Sequence, residues 1–200
     1  MLGMRLVVFV IGLSPALWLG WQYHQGNLGP FPAEAMLHFS GHTGLILLLL
    51  TLAWGFLRRF TGQVAFVATR RQLGLWGFWW LIAHALFWLG GEQGWQWQWI
   101  WHELSSVHHL QLGVSILCLL SLLALTSPTR VRQAMPLKIW QWLHRSLYLC
   151  IALGILHYWI VIRLDYRLAW TYLAALVLLV LLRLIFLHPP TQKSSKRQTS

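Results

Sequence analysis

Three histidines lie inside segments whose composition is otherwise that of a membrane-spanning helix: His84, His144 and His157. An imidazole inside a bilayer is costly without a partner, so each needs a metal, a proton path or a buried hydrogen bond. Two neutral imidazoles on facing helices can ligate one heme iron from opposite sides, and their surroundings then govern its reduction potential. Each ligand is expected to donate its second ring nitrogen to a carbonyl or carboxylate, which fixes the tautomer.

The spacing of His144 and His157 suits a helix that crosses a bilayer. The two are thirteen residues apart, which is about 20 Å along one helix and places one near each membrane face. The same spacing leaves them about 140° apart around an ideal helix. For both to face one bundle interior, the helix must bend or carry a π-bulge, for which Gly154 is a suitable place; otherwise His144 faces elsewhere.

The composition predicts that the elements carrying these histidines are membrane spans. The chain has 200 residues, of which 58% are hydrophobic and 10% charged, whereas a soluble domain carries about a quarter charged residues. Fifteen tryptophans, many near predicted helix ends, indicate an interfacial aromatic belt. The four tryptophans between positions 95 and 101 are expected along the membrane surface, as a helix or an irregular segment rather than a strand.

Six apolar segments are long enough to span a bilayer, at about 20 residues each. They lie near 6–22, 41–57, 73–90, 109–126, 140–162 and 168–187. The first is interpreted as an uncleaved span, because no small-x-small cleavage site stands out before Gln22. The predicted fold is therefore an all-α integral membrane protein, a six-transmembrane-helix bundle forming one domain over 1–188, with a disordered cytoplasmic tail at 189–200.

The charges predict the orientation of this bundle. The formal net charge is +11, but its distribution is a topology signal rather than a nucleic-acid patch. The acidic residues Glu34, Glu92, Glu103 and Asp165 fall in alternate predicted loops, and most basic residues fall in the others. By the positive-inside bias, the loops after spans two and four and both termini are cytoplasmic, and no nucleic acid is expected as a partner.

Depth in the bilayer then separates the three histidines. Helices three and five run outward from about residues 72 and 140, so His84 and His157 lie at matching depth in the outer half and His144 near the cytoplasmic face. Two histidines at matching depth favour heme ligation over ordinary buried hydrogen bonds. A proton relay is disfavoured because no predicted span contains an acidic residue. The other histidines are expected to be interfacial and solvated: His24, His38, His42, His102, His108, His109 and His188.

Other cofactor chemistries are disfavoured by missing motifs. Cys118 and Cys150 are isolated in apolar segments and no CxxC or CxxCH occurs, which argues against c-type heme, zinc and iron–sulfur sites. Both are interpreted as buried structural thiols. The chain has no Rossmann glycine motif, so a self-sufficient NADPH-dependent reductase is not expected.

Three segments resemble the MsrQ (YedZ) family, the heme-binding membrane subunits of a periplasmic protein-methionine-sulfoxide reductase system. Arg70-Arg71-Gln72-Leu73-Gly74-Leu75-Trp76 followed by His84 is similar to the family's third helix. Trp140-x-x-Leu143-His144-x-x-x-Tyr148 with His157-Tyr158 is similar to its fifth helix, and His38-Phe39-Ser40-Gly41-x-Thr43 to the segment before helix two. The similarity covers roughly residues 5–187.

The resemblance implies a ferric reductase-like domain in which helices three and five supply ligands for two stacked hemes. His84 and His157 match the outer pair, and His144 matches the inner ligand of helix five, but the inner partner falls near Arg70. One heme b is therefore expected, and a second, through His144, stays open. Arg70 or Arg71 could hold heme propionates or a flavin phosphate, or serve as positive-inside anchors. FMN is implied without a located site.

The function implied by the resemblance is electron transfer across the bacterial inner membrane by a multi-pass cytochrome b. Electrons would enter from the quinone pool or a cytoplasmic flavin reductase. They would leave to a periplasmic molybdopterin-containing catalytic subunit, in a heterodimer, that repairs oxidized periplasmic proteins. Two alternatives stay open: a stand-alone ferric or quinone-linked cytochrome b with another acceptor, and a heme-free transporter or assembly protein.

Overall fold

The computed structural model describes residues 2–63 and 65–187, without the side chains of Arg58, Arg59, Ala68 and Leu187. Every regular element in these ranges is helical. The helices are α1 (Leu2–His24), α2 (Pro32–Thr61), α3 (Ala65–Phe87), α4 (Trp97–Ser106), α5 (His108–Leu125), α6 (Thr129–Ala134), α7 (Leu137–Arg145), α8 (Leu147–Val161) and α9 (Arg167–Leu187). The tail predicted at 189–200 and His188 lie outside the described residues.

Six segments are long and apolar enough to cross a membrane, and they confirm the predicted number of spans. They are α1, α2, α3 with a π-helical turn at Trp88–Glu92, α5, α7 with α8, and α9. The chain is therefore a multi-pass membrane protein. Two spans begin well before their apolar centres, at Pro32 and Ala65, because a helix satisfies its own backbone hydrogen bonds and can continue into a polar interface.

The early start of α2 corrects two predictions. His38 and His42 lie on α2 rather than before it, and His42 is half-buried. Glu34 lies in the first turn of the same helix, 3.7 Å from the His38 imidazole. The expectation that no span contains an acidic residue is therefore wrong.

The fifth span is interrupted at Ser146, between α7 and α8, while the helix continues through Gly154. The Ser146 hydroxyl donates to the Leu143 carbonyl at 2.6 Å, and its backbone N–H donates to the same carbonyl. A serine hydroxyl competes for the carbonyl of the preceding turn and so loosens the helix. The fifth span therefore has no interruption at Gly154, and His144 faces away from the cavity that His157 lines, which is the alternative to a bend at that glycine.

Helices α2 and α3 form the most extensive helix pair, and they approach most closely at two glycines. A Cβ atom added at Gly44 would lie 3.3 Å from the Gly77 carbonyl oxygen, and one at Gly77 would lie 3.3 Å from that of Gly44. The side chains of Leu81 and Leu48 lie closer still to these positions. Small residues at a helix crossing let backbones approach where lipid offers no hydrophobic driving force.

Two apolar clusters form on either side of this pair. One joins α2, α5, α8 and α9 and includes Leu52 and Ile151; the other joins α1, α2 and α3 and includes Leu73. Cys150 is buried in the first cluster, whereas Cys118 is exposed, so the prediction of a buried thiol is wrong for Cys118. Only one face of a span packs against its neighbours, and apolarity does not tell which face that is.

The tryptophan-rich segment between the third and fourth spans forms α4, as expected of a helix rather than a strand. Its side chains at Trp97, Trp99 and Trp101 are exposed, and Ile100 is the one buried residue of the helix. Exposed indoles of this kind suit the membrane–water interface.

We expect Gly44→Ala to destabilise the bundle, because the added methyl group would meet Leu81 and force α2 and α3 apart. Overpacking of this kind costs about 1–3 kcal/mol. Thermal unfolding of the purified protein in detergent measures the effect. Gly20→Ala is the matched control, since nothing lies within 4 Å of that position. Equal unfolding midpoints for the two variants would contradict the close approach.

Candidate functional site

A cavity of about 230 Å³ lies between α2, α3, α5 and α8. Its lining is mostly leucine and other apolar side chains. The polar groups that reach it are five imidazoles and one phenol: His38, His42, His84, His109, His157 and Tyr158. Four of the six spans therefore surround a space that is apolar except for this set of histidines and tyrosine.

His84 of α3 and His157 of α8 meet across this cavity. Their ring centres are 6.3 Å apart and their planes are nearly perpendicular, at 85°. Two imidazoles on opposite sides of one metal ion have ring centres about 6 Å apart, because each metal–nitrogen bond is about 2 Å long and each ring adds about 1 Å. The spacing therefore suits a single metal ion between the two rings.

Both rings are held in the same way, by a backbone carbonyl of a neighbouring helix. His84 Nδ1 lies 2.9 Å from the Leu37 carbonyl oxygen on α2, and His157 Nδ1 lies 2.8 Å from the His109 carbonyl oxygen on α5. A carbonyl only accepts, so each Nδ1 must carry the proton. In the neutral imidazole the lone pair is then on Nε2, which is the atom available to a metal.

A glycine one helical turn beyond each carbonyl makes room for the ring. A Cβ atom at Gly41 would lie 2.8 Å from His84 Nδ1, and one at Gly113 would lie 3.2 Å from His157 Cε1. At the first distance the His84 ring would have to shift to admit a methyl group, and the second is tighter than ordinary contact. Each histidine thus lies in a cradle formed by a carbonyl and a glycine four residues later.

Sequence reasoning paired the two histidines but missed the groups that hold them. A backbone carbonyl leaves no mark in a sequence, since every residue has one. The glycines do leave a mark, because an isolated glycine inside an apolar span indicates close approach. Gly41 and Gly113 each interrupt a predicted span or its start, and their partners at Leu37 and His109 follow from helix geometry once the facing histidine is known.

His144 lies apart from this cavity. Its Nε2 is 3.2 Å from the Thr126 hydroxyl, and its ring stacks on Trp140 with centres 4.2 Å apart. Trp140 donates its indole N–H to the Thr126 carbonyl at 3.1 Å, and the Arg132 guanidinium lies 5.0 Å from the Trp140 ring. His144 is therefore part of an interhelical cluster at the end of α5 and α7.

Arg70 and Arg71 are neighbours in sequence but face different surroundings. Arg70 is half-buried and donates from Nε to the Thr51 carbonyl on α2 at 3.1 Å. Arg71 is exposed and lies 3.4 Å from the Thr129 hydroxyl. Neither lines the cavity between His84 and His157, so the structure does not bring these two arginines to that site.

A second polar cluster forms one wall of the cavity and ties α9 to it. The Tyr172 hydroxyl lies 3.1 Å from His42 Nδ1, and the His42 ring packs edge-on against Tyr158 with centres 4.8 Å apart. His42 was expected to be solvated, and that prediction is wrong. His42 lies one helical turn beyond the exposed His38 on the same face of α2, where Tyr158 and Tyr172 pack against it.

Comparison with known proteins gives a consistent picture. A family model described as ferric reductase like transmembrane component matches residues 40–155, more than half of the chain. The chain is 34% identical over 181 residues to a protein of Rhodospirillum rubrum, covering 90% of this chain and 87% of the relative. It is 32% identical over 177 residues to a protein of Caulobacter vibrioides (88% and 84% covered) and 38% identical over 160 residues to one of Salmonella arizonae (78% of each). All three are named protein-methionine-sulfoxide reductase heme-binding subunit MsrQ.

Proposed function

The chain belongs to the ferric reductase-like transmembrane family and to its MsrQ heme-binding subunits, and from that premise we propose that it is a membrane cytochrome b. In this proposal His84 and His157 would hold the iron of one heme b. The observation that carries it is the pair of imidazoles 6.3 Å apart, each with Nδ1 on a helix carbonyl. With Nδ1 protonated on both rings, the two Nε2 atoms carry the lone pairs that would bind an iron placed between the rings.

The donor set suits a heme better than a metal ion held by protein alone. The described residues contain no group of three or more His, Cys, Asp or Glu that could hold a metal ion. Two protein ligands leave the remaining coordination positions to a macrocycle, as in b-type cytochromes. When bound, heme supplies reversible one-electron redox chemistry at its iron.

The chain's own residues have three tasks in this proposal. The carbonyls of Leu37 and His109 orient the two rings and raise the basicity of their Nε2 atoms. Gly41 and Gly113 let the rings lie against α2 and α5. The leucines that line the cavity exclude water, and a dry apolar shell is one of the means by which a protein sets a heme potential.

Transfer of electrons to a partner is the role that we propose for this cytochrome. The relatives are named as heme-binding subunits of a protein-methionine-sulfoxide reductase, and that name implies a catalytic subunit as partner. The partner in this proposal is a periplasmic molybdopterin-containing subunit in a heterodimer, and the donor is the quinone pool or a cytoplasmic flavin reductase. The location is the cell inner membrane, with both termini cytoplasmic, which the separation of basic and acidic loops supports.

A second heme, ligated by His144, is the alternative stoichiometry. It would require the His144 imidazole to leave the Thr126 hydroxyl, which now lies 3.2 Å from its Nε2. Arg70, at the family's place for the inner partner, donates to a carbonyl of α2 instead. These contacts favour one heme. FMN, which the sequence resemblance implies, is left without assigned residues.

Each of the substitutions His84→Ala and His157→Ala is expected to remove most of the bound heme, because each removes one of the two imidazoles that would hold the iron. Heme per protein, from the Soret band and the reduced α band, measures the loss. His102→Ala is the control, since this exposed histidine of α4 is outside the cavity. If His144→Ala alone lost the heme spectrum and His157→Ala kept it, the pairing of His84 with His157 would be wrong. If the unmodified protein had no Soret band, the proposal that it is a cytochrome would be refuted.

Gly41→Ala is expected to weaken heme retention more than Gly113→Ala. The Cβ at position 41 would lie 2.8 Å from the His84 ring, whereas the Cβ at position 113 would lie 3.2 Å from the His157 ring. Disturbing the groups that orient a metal ligand typically costs 10–100-fold in affinity, and we expect about that range for Gly41→Ala. Heme titration of both variants measures it. Gly74→Ala, where the nearest atom lies 3.4 Å away on Thr51, should bind heme normally. Weaker heme binding by Gly113→Ala than by Gly41→Ala would argue against the carbonyl–glycine cradle.

The orientation is testable with single cysteines in a background lacking Cys118 and Cys150. Ser105→Cys on α4 should react with a membrane-impermeant maleimide in cells whose outer membrane has been made permeable. Lys138→Cys at the start of α7 should react only after the inner membrane is opened. The opposite pattern would place both termini in the periplasm.

A further inference from the structure

A groove separate from the heme cavity runs between α1 and α3 on the outer surface of the bundle, with a volume of about 510 Å³. One end of it is polar, with Arg5, Arg71 and Gln72. The rest of its lining includes Phe9, Trp76 and Trp79. A groove that is charged at one end and aromatic along its length has the polarity of an amphiphile.

The polar end carries two positive charges without a counter-charge. Arg5 and Arg71 are both exposed, and the ion pairs formed by the described residues involve neither of them. Gln72 donates from Nε2 to the Arg5 carbonyl at 3.1 Å, which joins α1 to α3 at this point. The side-chain contact recorded for Arg71 is a long one, 3.4 Å to the Thr129 hydroxyl. Most donors of the two guanidinium groups are therefore available to an anion.

The apolar part of the groove is partly rigid and partly open. Trp76 packs over Gly12, where no Cβ could fit, and meets Phe9 edge-on with ring centres 5.6 Å apart. Phe9 is 45% exposed and Trp79 60% exposed. Trp79 lies eight residues after Arg71, about 12 Å farther along α3. The fixed indole of Trp76 forms the floor, and the exposed rings of Phe9 and Trp79 form the walls.

The position in the fold identifies what contacts this groove. Both helices are membrane spans, and the arginines lie near their first residues, where a span meets the lipid headgroups. The aromatic rings then lie at the depth of the upper acyl chains. Guanidinium groups pair well with phosphate, and the neighbouring molecules that carry both phosphate and acyl chains are phospholipids.

We propose that this groove is a binding site for one anionic glycerophospholipid, with the phosphate between Arg5 and Arg71 and an acyl chain along Phe9, Trp76 and Trp79. Two uncompensated cations favour a headgroup with net negative charge over a zwitterionic one. Since α1 contacts the bundle mainly through α3, a lipid in this groove would stabilise the attachment of α1. This site is independent of heme binding.

The test uses the full chain purified in detergent, with added dioleoylphosphatidylglycerol or dioleoylphosphatidylcholine. Native mass spectrometry should show one retained phosphatidylglycerol per protein, and this lipid alone should raise the thermal unfolding midpoint. The double variant Arg5→Gln/Arg71→Gln should retain about tenfold less phosphatidylglycerol than the unmodified protein, as expected for two lost charge-assisted contacts. Arg130→Gln/Arg163→Gln removes the same charge at exposed sites outside the groove and should bind normally.

Further variants separate lipid binding from folding and from other phosphates. Arg71→Lys keeps the charge and should retain most of the lipid, whereas Trp79→Ala should weaken retention without a change of charge. Equal retention of the two lipids, or equal loss in both double variants, would overturn the proposal. Full displacement of the lipid by inorganic phosphate or by FMN at equal concentration would also overturn it, because the site would then recognise a free phosphate or a flavin.

Discussion

In a bilayer every buried polar group needs a partner within the protein, and the cavity depends on how two imidazoles meet that requirement. Each places Nδ1 on a carbonyl that already belongs to a helix, at Leu37 and at His109. A carbonyl oxygen has two lone pairs, so it can serve its own helix and a neighbour's side chain together. The hydrogen bond uses the second lone pair of that carbonyl and leaves the lone pair of each Nε2 available to a metal.

The same arrangement, a backbone carbonyl with a glycine four residues later, holds both histidines. On α2 the carbonyl of Leu37 and the space at Gly41 receive a histidine from α3; on α5 the carbonyl of His109 and the space at Gly113 receive one from α8. The remaining spans support this arrangement from outside. Helix α1 packs on α3, and α9 is tied to α2 through Tyr172 and His42. The four inner helices hold the histidines, and the two outer ones keep those helices in place.

Much of the arrangement was predictable, and the errors have physical causes. The six spans followed from hydropathy, and the pairing of His84 with His157 from depth along the helices. Both quantities depend on many residues, so an error at a single residue changes them little. The placement of His42 failed because a helix extends beyond its apolar centre. The fifth span is interrupted at Ser146, where a hydroxyl is bonded to the preceding turn, and not at Gly154, the place suggested by the spacing of His144 and His157. The separation of Arg70 from Arg71 was also missed, since adjacent helix positions point about 100° apart.

The sequence by itself determined the class of the protein and its number of spans, because the cost of polar groups in lipid depends on composition and on distance along a helix. Only the tertiary structure decided which surface of each span faces a neighbour. That choice brings two rings to 6.3 Å, leaves His144 with Thr126 and Trp140, and places Arg71 in the groove that also contains Arg5. A uniformly apolar helix presents the same hydropathy at every rotation about its axis. Packing at glycines and hydrogen bonds to carbonyls must therefore select the rotation that the structure has.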